Sequence, residues 1–158
     1  MSDANWAEIV TALGTIVIAG GTAVLAGAAI AALTSWKSAL TSQRADECVA
    51  AARDLSGAID RCRTIKKRFP QYNNHTQAMV SPAYDQIWAA WRRFDMAICA
   101  ARRYHPKLSQ SIPRVISDHI FEFEESLHRD WSKDQAAKDQ SARCKENVDA
   151  LCKPLETL

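Results

Sequence analysis

The chain has 158 residues, of which 47% are apolar and 24% charged, with a net charge of +2 and a mean hydropathy of −0.24. These averages suit one ordinary domain, and five Gly and five Pro exclude collagen-like and low-complexity classes. They conceal a division: all 38 charges lie outside residues 9–36, a block of 28 residues that holds 19 of the 75 apolar residues and four of the five glycines.

Residues 1–8 read as a short extracytoplasmic tail and residues 9–36 as a transmembrane helix. The run Ile9 to Leu33 contains only Ile, Val, Leu, Ala, Gly and three Thr over 25 residues, and a bilayer core needs about 20 apolar helical residues. Trp6 and Trp36 bracket the run as membrane-interface anchors, joined on the C-terminal side by Lys37 and Arg44. A buried soluble helix would be shorter and would show a polar face. A cleaved signal peptide would carry a basic start and a shorter apolar run, whereas residues 1–8 hold Asp3, Glu8 and no Lys or Arg. The run is therefore expected to be an uncleaved single-pass anchor. Lys37, Arg44 and Arg53 follow it, so the positive-inside rule predicts the N-terminus outside and residues 37–158 in the cytoplasm.

Every fourth position from Thr11 to Ser35 is small, with Thr15, Ala19, Ala23, Gly27 and Ala31 at its centre. Helices in lipid associate where small residues let backbones approach, so this row is the candidate helix–helix association face and a homo-oligomer is expected. The competing explanation is that Ala and Gly are simply common in this anchor.

Beyond Lys37 the helical signal continues as an amphipathic pattern. Ala45, Cys48, Ala52, Leu55, Ile59, Cys62, Ile65 and Phe69 recur at steps of three and four. One helix is predicted from about Asn5 to Arg68, ended by Pro70. Residues 70–80 read as a loop, and Ser81-Pro82 as the N-cap and first residue of a second helix. That helix carries Tyr84, Ile87, Trp88, Trp91, Phe94, Ile98 and Ala101 on one face and ends near His105-Pro106. Ser111-Ile112-Pro113 repeats the start signal for a third helix bearing Val115, Ile116, Ile120, Phe123, Leu127 and Trp131. Residues 132–140 are either a break or an exposed helical stretch. Ala137, Cys144, Val148, Leu151, Cys152 and Leu155 mark a last helix, limited by Pro154. The expected fold is all-α: the transmembrane helix continues into an antiparallel cytoplasmic bundle of three to four helices.

Residues 37–107 carry 13 basic and 6 acidic side chains, and residues 108–158 carry 7 and 10. Pairing of opposite-sign helices across the bundle is the plain expectation. The functional one is headgroup contact by Arg102, Arg103 and Lys107, if the second helix returns toward the membrane. The run Arg61, Arg63, Lys66, Lys67, Arg68 sits too far along the helix for that. It reads as a dipole cap or a contact for an acidic partner; without interleaved aromatics, nucleic acid is not an expected partner.

No catalytic residue, cofactor or metal ligand is expected. Glu125-Ser126-Leu127-His128 is a lone ExxH, short of the paired set that a di-iron bundle needs. Glu124 and His128 read better as a surface pair, and Asp95 as an ion pair with Arg92. No Walker A, GxGxxG or GxSxG is present. The five cysteines, Cys48, Cys62, Cys99, Cys144 and Cys152, form no CxxC and cannot all pair. They read as reduced, buried thiols of a cytoplasmic domain.

The short N-terminal tail, the anchor running into Trp36-Lys37, the amphipathic helix, the aromatic second helix and the Cys144–Pro154 segment together resemble small bacterial single-pass membrane proteins of no established function. The resemblance implies a bacterial inner-membrane location and carries no catalytic residues. The expected function is a membrane-anchored helical interaction or scaffold protein, binding the lipid bilayer, itself and a protein partner of the cytoplasmic bundle. The alternative is a membrane-permeabilising effector of defence or phage type, acting through oligomerised transmembrane helices. Thr11, Thr15, Thr22 and Ser35 offer hydroxyls to line such a pore.

Overall fold

A computed structural model of the chain describes residues 3–106, 108–109 and 111–157. Four α-helices and a terminal 3-10 turn make up the described residues, with no strand among them: α1 Asp3–Arg68, α2 Asn74–Ala101, α3 Ser111–Leu127, α4 Gln135–Cys152 and η1 Lys153–Thr157. The chain divides into two compact units, Met1–Leu40 and Thr41–Leu158.

The first unit is the N-terminal stretch of α1. Its Ala-rich, Pro-free sequence favours helix, and its large apolar side chains lie exposed, Val17, Ile18, Val24 and Leu25 each above 70%. α1 is one helix long and apolar enough to cross a membrane by length and composition.

In the second unit one core unites the four helices: Leu55, Ile59 and Cys62 of α1, Ile87, Phe94 and Ile98 of α2, Ile116, Ile120 and Phe123 of α3, and Cys144 and Val148 of α4. The predicted α1 seam is buried as far as Cys62, but Phe69 is 37% exposed and Ile65 only half-buried. The seam continues instead at Lys66, which is fully buried. On α3, Val115 turns outward.

Three local differences from the sequence reading have plain causes. α2 starts a full turn and more before Ser81, because the Asn73 side chain accepts the Thr76 backbone N–H at 2.8 Å and caps the helix there. Pro82 then lies inside α2, where it removes only the donor to the carbonyl of Ala78, a residue open to water. Residues 74–80 are accordingly helical rather than a loop. α3 begins at Ser111 itself, so Ser111 is not the cap; Pro113 stays in the first turn, where a missing N–H costs nothing.

Third, Trp131 is not on α3. The helix stops at Leu127 and Trp131 enters the core from the following turn, 1% exposed. Its Nε1–H donates to the Ser126 carbonyl at 2.7 Å, and its backbone N–H donates to the Pro70 carbonyl at 2.8 Å. The Ser126 carbonyl at the end of α3 thus receives the indole N–H besides the Arg129 backbone N–H at 3.3 Å. The ambiguous stretch resolves as a break and then a helix. Asp130 accepts the Ser132 N–H and hydroxyl at 2.9 and 2.6 Å, and Asp134 caps α4 through the Ala137 N–H at 3.0 Å.

Polar contacts tie the helices in pairs. Asp54 of α1 meets Arg93 of α2 at 3.9 Å, and the Thr41 carbonyl lies 3.3 Å from His105 Nε2. Ser56 donates to Asp149 at 2.9 Å and Arg63 to Ser141 at 3.0 Å, joining α1 to α4. Trp91 donates to the Pro113 carbonyl at 3.0 Å, joining α2 to α3. The ion pair of Asp60 with Lys145, at 3.5 Å, runs against the charge bias of the two halves.

Candidate functional site

The residues of the expected anchor come first. Thr15, Ala19, Ala23, Gly27 and Ala31 form an exposed row along α1, inclined to the helix axis as rows at every fourth position are. A Cβ built on Gly27 meets nothing within 4 Å, so nothing within the chain requires glycine there. The Thr15 and Thr22 hydroxyls donate to the carbonyls of Thr11 and Ile18 at 2.9 and 2.8 Å, and Thr34 to Ala31 at 2.9 Å. These polar groups are satisfied by their own helix and need no water. Trp6 and Trp36 are 63% and 64% exposed, about 45 Å apart at 1.5 Å per helical residue. Lys37 is exposed on the same helix.

Arg44 is different. It belongs to the second unit and binds Glu47 at 2.6 Å. Arg102 is half-buried and Arg103 exposed in the turn after α2. Lys107 lies outside the described residues.

The second unit contains a feature that the sequence reading missed. A cavity of about 110 Å³ opens between α1, α2 and α3, lined by Lys66, Tyr72, Val80, Tyr84, Glu124, Leu127 and His128, with Thr76, Gln77 and Ser81 completing it. Lys66 reaches it as the next residue of the α1 seam after Leu55, Ile59 and Cys62, so its side chain is carried inward. Its Nζ is buried and has no hydrogen-bond partner. The nearest compensation is the face of the Tyr72 ring, 5.6 Å from Nζ. Burial pushes the Lys66 amine below its ordinary range, and the Asp130 carboxylate opposes that shift.

On the other side of the cavity Tyr84 donates its hydroxyl to Glu124 Oε2 at 2.5 Å. Burial and this bond hold the Tyr84 proton well above the usual phenol range. Glu124 Oε1 faces His128 Nε2 at 3.8 Å, and His128 Nδ1 lies 3.3 Å from the Tyr72 hydroxyl. The expected Glu124–His128 pair is thus present, with Tyr84 as a third member. The cavity combines one unpaired buried cation, a hydrogen-bonded carboxylate and apolar walls.

The other sequence candidates fare unequally. Asp95 meets the Cys99 thiol at 3.9 Å rather than Arg92, because Cys99 stands one turn further along the same side of α2. Cys48, Cys62, Cys144 and Cys152 are buried, whereas Cys99 is exposed on the outer face of α2. Among the described residues no group of three His, Cys, Asp or Glu converges as metal ligands would. The basic run of α1 is not one surface, since Lys66 turns inward and Arg63 is held by Ser141 and, at 3.7 Å, by Asp60. Comparison with family models, with curated proteins and with solved structures gives no match.

Proposed function

We propose that this protein is a single-pass membrane-anchored interaction protein whose cytoplasmic part is an antiparallel helical bundle and whose anchor self-associates. One observation carries the reading: the large apolar side chains from Ile9 to Leu33 are exposed around the whole helix, from Ile9 at 45% to Val24 at 73%. Covering each such side chain is worth roughly 1.5–3 kcal/mol, and soluble monomers do not leave apolar surface on this scale in water. Lipid is the medium that covers every side of one helix. Trp6 and Trp36 would then sit at the two interfaces, with the N-terminus outside and residues 37–158 in the cytoplasm of a bacterial inner membrane. Arg102, Arg103 and Lys107 are the candidates for headgroup contact.

The row Thr15, Ala19, Ala23, Gly27, Ala31 is the proposed association face. The threonine hydroxyls turned onto their own helix carbonyls suit a packed or lipid-facing helix better than the wall of a polar pore. A non-enzymatic scaffold is therefore preferred to a permeabilising effector.

Gly27→Leu tests the association face cleanly, because the added side chain has no intrachain neighbour to disturb. Cross-linking in detergent should show oligomers of the wild type and their loss, by about tenfold in the association constant or more, in the variant. Wild-type monomers at every concentration would remove the proposal. Orientation has its own test: alkaline phosphatase fused after Leu158 should be inactive in cells. An active fusion would place the bundle on the other side of the membrane.

A further inference from the structure

We propose that the cavity around Lys66 binds a small organic monocarboxylate, with the Lys66 ammonium as its counterion. The first argument is the state of Lys66 itself. A fully buried amine without a hydrogen-bond partner is destabilising, since burial removes water and nothing replaces it. A ring face at 5.6 Å is a weak substitute for a charge-assisted hydrogen bond to an oxyanion. Lys66 lines the cavity, and a turn of its flexible side chain brings the ammonium to a carboxylate oxygen there, which supplies the missing acceptor.

The second argument is size and lining. About 110 Å³ is somewhat less than the cavity of roughly 150 Å³ that holds benzene in an apolar core, so the fit is to an acid of a few carbons. Val80, Leu127 and the rings of Tyr72 and Tyr84 offer apolar contact to such a chain, while Thr76, Gln77 and Ser81 add hydrogen-bonding groups. The third argument is charge. Glu124 lines the same cavity, engaged by Tyr84 and facing His128. One lysine opposed by a carboxylate favours a monoanion and disfavours phosphate, which brings a second negative charge.

The test uses the full chain in detergent and isothermal titration with butyrate, butyramide and inorganic phosphate. Butyrate should bind saturably. Butyramide, of the same shape but uncharged, should bind about tenfold more weakly or worse, as expected for loss of a charge-assisted bond, and phosphate more weakly than butyrate. Lys66→Met, which keeps the length of the side chain, should abolish the preference for butyrate while the helical circular dichroism is retained. Equal binding of butyrate and butyramide, absence of butyrate binding, tighter phosphate binding, or an unchanged preference in Lys66→Met would each overturn the assignment. The comparison on the wild-type chain decides the matter even if the variant does not fold.

Discussion

Replacing Trp131 with alanine should lower the unfolding free energy of the second unit by about 3–5 kcal/mol. The indole is among the largest fully buried side chains, and it joins segments distant in the chain. Its ring fills the core from the turn between α3 and α4, its Nε1–H closes the end of α3 at Ser126, and its backbone N–H holds the Pro70 carbonyl in the connection after α1. A domain of this size has only about 5–15 kcal/mol in total, so the variant should be marginal at room temperature. Trp131→Phe separates the contributions. It keeps an aromatic ring but removes the indole donor, leaving the Ser126 carbonyl only the longer bond from the Arg129 N–H at 3.3 Å, and should cost about 1 kcal/mol. Phe121→Ala is the control: Phe121 is 57% exposed and touches Trp88 at a ring distance of 4.9 Å, so its loss should cost about 1 kcal/mol. Urea titration of the full chain in detergent measures all three. Equal midpoints for wild type and Trp131→Ala would refute this account of the core.

A comparably large effect is expected from alkaline pH. Burial pushes the thiols of Cys48, Cys144 and Cys152 up to about 11 and that of Cys62 to about 12, from an ordinary value of 9.0. In the unfolded chain these thiols ionise near 9.0, while in the folded domain they keep their protons. Unfolding therefore releases protons above that pH, and stability falls as pH rises toward the folded values. By about pH 10 each thiol removes about 1–1.5 kcal/mol, and the four together about 5 kcal/mol. Lys66 works in the opposite direction. Its folded value lies below the ordinary 10.5, so its penalty is present at low pH and relieved as pH rises to 10.5. One lysine does not offset four thiols. Urea midpoints should thus drop between about pH 8 and about pH 10, and Cys62→Ala should reduce that drop by about a quarter. A flat profile over this range would mean that the thiols are not buried as described.

Legibility differed along the chain according to what forced each feature. The uncharged run stands out because an apolar segment of that length needs no partner segment to be recognised. The seams of α1 and α4 are readable because periodicity of three and four survives in a half-buried helix, and Leu55, Ile59, Cys144 and Val148 are all buried. The same periodicity, followed strictly, leads from Cys62 to Lys66. Residue type misled there: a lysine within a basic run reads as surface, and Ile65 and Phe69 drew the seam away from it. Helix starts were less readable. Ser81-Pro82 is a sound start signal, yet the helix starts where the Asn73 side chain meets the Thr76 backbone N–H, seven residues earlier than the serine. The pairing of Tyr84 with Glu124 joins residues 40 apart in the chain, and no local pattern encodes it.

The amino-acid sequence by itself determines the all-helical character, the uncharged run long enough to cross a membrane and most of the buried seam, because these follow from composition and helical period within single segments. Tertiary structure alone decides that Trp131 fills the core from a turn, that Lys66 is buried without an acceptor and that a cavity forms beside it. Those features exist only where three helices meet, and an unsatisfied charge or an unfilled volume is a property of the packing rather than of any one stretch of chain.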